Sequence, residues 1–153
     1  MRKVTICVEA THEATETYRR ISDFGRYPDL TETVREVVVH PADADGSVVS
    51  EWTVNFRNGL LCWTERDVLD RERMAITFTQ LTGDFETFNG VWTVQPHTDG
   101  SRVTFEAEFD LGIPSLAAIV DPVAEATLRS NILLILQGLL GEVTPVEMAA
   151  ACD

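Results

Sequence analysis

Hydrophobic and polar positions alternate from the start of the chain, where Val4, Ile6 and Val8 are separated by Thr5 and Cys7 with the period of two of a half-buried strand. Thr11 stands where a helix cap belongs, Glu13 and Glu16 fall near the positive end of the helix that follows, and Tyr18 and Ile21 supply its apolar positions before Asp23 and Gly25. Tyr27-Pro28-Asp29 breaks the chain, so a second brief helix is predicted over residues 30–33 and extended chain over 34–40. From there to residue 111, strand-like runs are separated by turn chemistry at 43–46, 57–59, 70–73 and 97–100, which predicts an antiparallel meander. Its last strand is the clearest: Val103, Phe105, Ala107, Phe109 and Leu111 face one way, Arg102, Thr104, Glu106, Glu108 and Asp110 the other. One side of the sheet is therefore wet.

Gly112-Ile113-Pro114-Ser115 ends the sheet, and Asp121-Pro122 reads as an N-cap with proline at the first helical position. The helix predicted from there to about residue 141 carries Ala124, Leu128, Ile132, Ile135 and Leu139 on one stripe, widened by Leu133, Leu136 and Leu140. Such a helix has to be enclosed. The expectation is an α+β fold in which a curved antiparallel sheet of about seven strands wraps a long C-terminal helix, with two short helices after the first strand. It forms one domain over residues 1–143, followed by a loose tail over 144–153.

At 153 residues the chain can bury about two-thirds of its unfolded surface, enough for a hollow core. Twelve basic against 25 acidic side chains give a formal charge of -13, which repels phosphate backbones and anionic headgroups and argues against nucleic acid as a partner. The longest apolar run, 132–136, is far short of the roughly 20 residues of a membrane span. No signal-peptide pattern opens the chain, and Cys7, Cys62 and Cys152 lack paired spacing, so reduced thiols and a cytoplasmic location are expected. His12, His40 and His97 are scattered, read as surface residues, and no phosphate loop or dinucleotide fingerprint occurs. No metal or cofactor is expected.

The segment Ile21-Ser-Asp-Phe-Gly-Arg-Tyr-Pro-Asp-Leu30, together with Gly83-Asp-Phe85, Gly90-Val-Trp92 and Val103-Thr-Phe-Glu-Ala-Glu-Phe109, resembles the helix-grip fold of the START-like superfamily. That superfamily includes polyketide aromatase/cyclases and coenzyme-Q-binding proteins. The resemblance covers roughly residues 3 to 140 and implies an internal cavity for a hydrophobic small molecule, polyketide-like or quinone-like, with an acyl carrier protein as a further candidate partner. It matches the asparagine of the cyclases to Asn131 and a cavity tryptophan to Trp63. The tyrosine and arginine of that set fall on Val34 and Asp67 instead.

Strand 60–69 carries Leu61, Trp63, Glu65 and Asp67 on one face and Cys62, Thr64, Arg66 and Val68 on the other, and neither face is cleanly apolar. If the Trp63 face lines the cavity, as the resemblance implies, Glu65 and Asp67 point inward. Burial then raises their pKa values toward a useful range for deprotonating a methylene or protonating a leaving hydroxyl. The alternative is that strand twist carries them to a solvated mouth beside Arg66. Asn131 either orients a ligand carbonyl or is satisfied by backbone at the cavity edge. Trp52, Trp63, Phe78, Phe88, Trp92 and Phe105, with Leu128 and Ile135 from the helix, either form plain core or wall a cavity that stacks flat conjugated ligands. Tyr27 either offers its hydroxyl to a ligand or serves the helix break. Two functions remain open: a polyketide cyclase/dehydrase with antibiotic-type substrates, and a non-catalytic carrier of a quinone, lipid or polyketide.

Overall fold

The structure, a computed structural model, describes residues 2–57, 59–111 and 117–146, with side chains described outside 117–121. The chain runs β1 (Arg2–Ala10), α1 (Ala14–Ser22), a 3-10 turn (Phe24–Arg26), α2 (Tyr27–Leu30), β2 (Val34–Val39), β3 (Val48–Phe56), β4 (Gly59–Asp70), β5 (Ala75–Gly83), β6 (Thr87–His97), β7 (Gly100–Asp110), α3 (Ala117–Leu140) and β8 (Val143–Pro145). The eight strands form one antiparallel sheet in the order β2-β3-β4-β5-β6-β7-β1-β8. Alternation decides its faces: Val103, Phe105, Ala107 and Phe109 on β7 are at most 2% exposed, as are Val4 and Val8 on the partner strand β1. The buried face of the sheet meets α3 through Leu128, Ile132, Ile135, Leu136 and Leu139. From Pro122 to Leu140 this helix is long and apolar enough by composition to cross a membrane, more than the run 132–136 implies; 39% of that stretch is buried, while Val123 and Leu134 are exposed.

Several boundaries differ from the sequence reading, each for a local reason. Eight strands form, against about seven expected, because the chain turns back after Gly141 (φ 81°) and pairs residues 143–145 with β1. Part of the expected tail is therefore sheet. Helix α1 begins at Ala14 without a cap from Thr11. The His12 carbonyl accepts from Ser101 Oγ at 2.8 Å and from Thr17 Oγ1 at 3.3 Å, which keeps the residues before it outside the helix. Helix α2 contains Pro28 rather than following it, since proline in the first turn withdraws no helical hydrogen bond.

Helix α3 starts at Ala117, so Asp121-Pro122 is not its beginning, and Pro122 costs the helix one internal bond near that end. His12 is half-buried, its Nε2 lying 3.1 Å from the Leu140 carbonyl, so it joins the start of α1 to the end of α3. Cys7 is disulfide-bonded, contrary to the expected reduced thiols; it sits where the Val146 N–H bonds its carbonyl, and its partner lies outside the described residues. Asn58, the 112–115 turn and Cys152 also lie outside them.

Two glycines let the sheet close on its aromatic contents. At Gly83 (φ 150°) a Cβ would stand 2.5 Å from Trp63 Cβ, and at Gly90 it would stand 2.8 Å from the Phe78 ring and closer still to the Glu106 carbonyl. Gly90→Val is expected to destabilise the protein by about 1–3 kcal/mol through overpacking, whereas Gly25→Ala, with open space around it, should change stability by less than about 0.5 kcal/mol. Urea unfolding of both variants measures the contrast, and equal effects would remove the steric account.

Candidate functional site

The register of β3 on β4 sets Trp52 opposite Trp63 and Ser50 opposite Glu65, all on the inward face. The two indoles stack at 6.0 Å between centroids, 4° from parallel. Trp63 stands edge-on to Phe88 at 5.3 Å, Phe88 stacks on Phe85 at 4.4 Å, and Phe24 and Tyr27 stand edge-on to Trp52. Further along the sheet Phe78 stacks on Phe105, which Trp92 meets edge-on. These rings, closed over by Leu128, Asn131, Ile132 and Ile135 of α3, line a cavity of about 60 Å³. That is room for a few waters.

Every residue singled out from the sequence for this cavity lines it except Asp67, which lies directly behind Glu65. The Trp63 face of β4 is the inward one, and Arg66 on the outer face bonds Asp43 and Ser47, each at 2.9 Å, rather than either carboxyl. Tyr27 contributes its ring; its hydroxyl donates to the Ile21 carbonyl at 2.6 Å. Asn131 Nδ2 donates to the Asn55 carbonyl at 2.8 Å, tying α3 to β3 at the cavity edge. Gln80, opposite Glu65 on β5, donates to the Phe85 carbonyl at 2.8 Å and so holds the turn that carries Phe85 over the cavity.

Sequence periodicity does not reach Phe24, Thr33 and Phe85, which lie outside strands or at their ends. Val54 carried a usable signal, two residues from Trp52 on the same strand face.

Glu65 is 6% exposed and Asp67 fully buried. Trp63 Nε1 donates to Glu65 Oε1 at 2.7 Å, Ser50 Oγ donates to Asp67 Oδ2 at 2.6 Å, and Trp52 Nε1 donates to Ser50 Oγ at 2.8 Å. Asp67 Oδ1 is buried with no hydrogen-bond partner among the described residues, and the two carboxyls stand close enough that each shifts the other's titration. Two buried carboxylates this close repel each other, which favours one proton between them. Burial pushes the Glu65 carboxyl well above its ordinary 4.5, and the neighbouring Asp67 carboxyl and its charge push the same way against the Trp63 donor. Burial also raises Asp67 above 3.8, while Glu65 and the bond from Ser50 pull it back. Glu65 is therefore the member that holds a proton more readily, and Asp67 the one that ionises more readily.

The eight-stranded sheet gripping a C-terminal helix around a largely aromatic cavity is a helix-grip fold. The chain belongs to the family described as polyketide cyclase / dehydrase and lipid transport, whose model matches residues 11–133. Among solved structures it is similar to a protein from Thermus thermophilus, with 22% identity, TM-score 0.82, and coverage of 90% of this chain and 94% of that one. It is also similar to the Zhui aromatase/cyclase from a Streptomyces species, with 21% identity, TM-score 0.77 and 92% of each chain covered. A START superfamily protein from Mycobacterium smegmatis is 18% identical with TM-score 0.77, the match covering 90% of this chain and 96% of that one. No curated protein sequence matches. At these identities the structures establish the fold.

The pair makes a signed prediction. Both carboxyls are raised in the folded state, so the stability they contribute is fully present below their ordinary values and is lost as pH rises through the raised ones. Glu65→Gln puts an amide donor beside Asp67 without a titration. Its stability relative to the unchanged protein should rise between pH 5 and pH 8, by on the order of 1–3 kcal/mol. Urea unfolding at a series of pH values measures the difference, and a pH-independent difference would rule out the shared proton.

Proposed function

We propose that the protein binds an uncharged, flat, hydrophobic polyketide-type intermediate in this cavity and promotes its ring closure and dehydration, with Glu65 as the acid/base group. The observation that carries the reading is a buried carboxyl, Glu65, lining an otherwise largely apolar cavity, with the Asp67 carboxyl held behind it by Ser50. Burial raises the Glu65 pKa, which favours the protonated form. In ring closure Glu65 gives its proton to the carbonyl oxygen under attack and recovers one from the methylene that becomes the nucleophile, so a carbon–carbon bond forms with no net proton change. In dehydration it protonates the departing hydroxyl; the carbon–oxygen bond breaks, water leaves, and the Glu65 carboxylate takes the neighbouring α-proton as the double bond forms. Each donation leaves two adjacent anions, and their repulsion makes Glu65 a strong base for the return step.

Asp67 does not line the cavity and acts through Glu65. One Asn131 Nδ2 hydrogen is spent on the Asn55 carbonyl, so its role toward a ligand carbonyl falls to the second N–H, while Oδ1 can accept only from a ligand hydroxyl. The wall residues Trp52, Trp63, Phe78, Phe88, Trp92, Phe105, Leu128 and Ile135, with the ring of Tyr27, set the shape in which the chain folds. A multi-ring ligand exceeds about 60 Å³, so binding has to part these rings. This reading implies a cytoplasmic protein that receives its substrate free or from an acyl carrier protein.

The carrier reading is favoured by the commitment of the Tyr27 hydroxyl and one Asn131 amide hydrogen to backbone, which leaves few polar groups for chemistry. A carrier has no transition state to stabilise, so the two readings part on rate. With an aromatic polyketide intermediate as substrate, Glu65→Gln is expected to lower the ring-closure rate by about 10²–10⁴-fold while affinity, read by tryptophan quenching, changes less than about threefold. Asp67→Asn should lower the rate as well, since it removes the anion. Unchanged product yield and ring pattern in both variants would leave the carrier.

A further inference from the structure

Two adjacent buried carboxyls are near-equivalent chemically, and something outside the pair has to decide which of them keeps the proton. Ser50 is 0% exposed and is not among the cavity-lining residues, so it touches no ligand there. Its hydroxyl has one hydrogen to give. An indole N–H only donates, so the 2.8 Å bond from Trp52 Nε1 makes the Ser50 oxygen an acceptor on that side and turns its hydrogen toward Asp67 Oδ2, 2.6 Å away. That length is typical of a hydroxyl donating to an ionised carboxylate. The remaining oxygen, Asp67 Oδ1, is buried with no hydrogen-bond partner among the described residues, which leaves Ser50 as the hydroxyl donor to this carboxyl. At the other end the Trp63 indole occupies Glu65 Oε1.

We infer that Ser50 is a positioning residue: its hydroxyl, aimed by Trp52, fixes Asp67 as the anion and so keeps the proton on Glu65. The inference builds on Glu65 as the acid proposed above, but it concerns where the proton rests, which is measurable without any substrate. Among the described residues, no charge outside the pair perturbs either carboxyl. From α2 the titratable side chain facing the pair is Tyr27, whose hydroxyl is spent on Ile21. Across β3 Asp67 meets Val48, and across β5 it meets Phe78 while Glu65 meets Gln80. From α3 the cavity receives Leu128, Asn131, Ile132 and Ile135, none of them titratable. Arg66, the nearest cation along β4, is turned outward to Asp43.

The test is a ¹³C NMR titration of the side-chain carboxyls of the ligand-free protein, with the melting temperature recorded for each variant. In the unchanged protein Asp67 should ionise first and Glu65 well after it. In Ser50→Ala the Asp67 step should move up by about tenfold in proton concentration and the Glu65 step down, as the proton is shared more evenly. Ser50→Thr, which keeps the hydroxyl, should restore the original order. Trp52→Phe, which keeps a ring but loses the N–H, should shift the steps in the same direction as Ser50→Ala by a smaller amount. If the cyclase reading holds, Ser50→Ala also lowers kcat about tenfold with KM nearly unchanged. Titration steps that respond as described while Glu65→Gln leaves product formation intact would support Ser50's role and sink the cyclase. Steps unmoved in Ser50→Ala, or an original order that Ser50→Thr fails to restore, would overturn it.

Discussion

A carboxyl pair buried under two stacked indoles is the constraint around which the rest of this sheet is arranged. Burying an ionised carboxylate costs several kcal/mol unless its oxygens are met by donors. Here the donors are Ser50 and Trp63, and both stand on the inward face of β3 or β4. A slip of one residue between those strands would turn both carboxyls out and Cys62, Thr64 and Arg66 in. The polar pair thus makes the register unequivocal at a place where the sequence alternation is ambiguous.

The aromatic wall and the acid depend on each other. Trp52 and Trp63 are both rings of the wall and donors of the network, so their orientation is fixed at the nitrogen by a hydrogen bond and at the face by each other. The rings exclude water from Glu65, and that exclusion is the largest cause of its raised pKa. α3 completes the enclosure, and the Asn131 bond to the Asn55 carbonyl fastens it to β3 beside the cavity, while Asn55 Nδ2 reaches the Glu32 carbonyl after α2. One amide-to-backbone chain therefore links the three segments at that edge.

Much of this is legible in the sequence, and the limits are physical. β7 and α3 declare themselves because every second residue, or every third and fourth, is apolar over a long run. β4 does not, since Leu61 and Trp63 share a face with two acids while Cys62 and Val68 share one with Arg66. What settles the matter is the neighbouring strand, whose Trp52 and Val54 are buried on the same side. Pairing of distant segments leaves no local trace, which is why β8, three residues long, was invisible. Pro122 misled for the opposite reason: a proline is a strong local signal for a helix start, but its first-turn preference does not forbid a helix that begins a few residues earlier, at Ala117. Ser50 is the instructive case. A lone serine in a strand has no pattern to distinguish it, and its importance lies in the direction of one O–H.

On the resemblance read from the sequence, the cyclases would carry an arginine where this chain has Asp67, and such an exchange reverses the local electrostatics. A guanidinium beside Glu65 would pull its proton off and leave an ion pair, with positive charge available to a developing oxyanion. An aspartate does the reverse, keeping Glu65 neutral and protonated at the cavity wall. On the reading proposed above, an oxygen gaining charge in this cavity is then stabilised by receiving a proton rather than by facing a cation. That substitution favours substrates that are neutral at the deep end of the cavity, because a carboxylate there would meet the Asp67 charge in a medium that screens it poorly. It also explains why the donors are so strictly committed. A cation tolerates a loosely placed partner, whereas an acid whose strength depends on a neighbouring anion needs that anion held still.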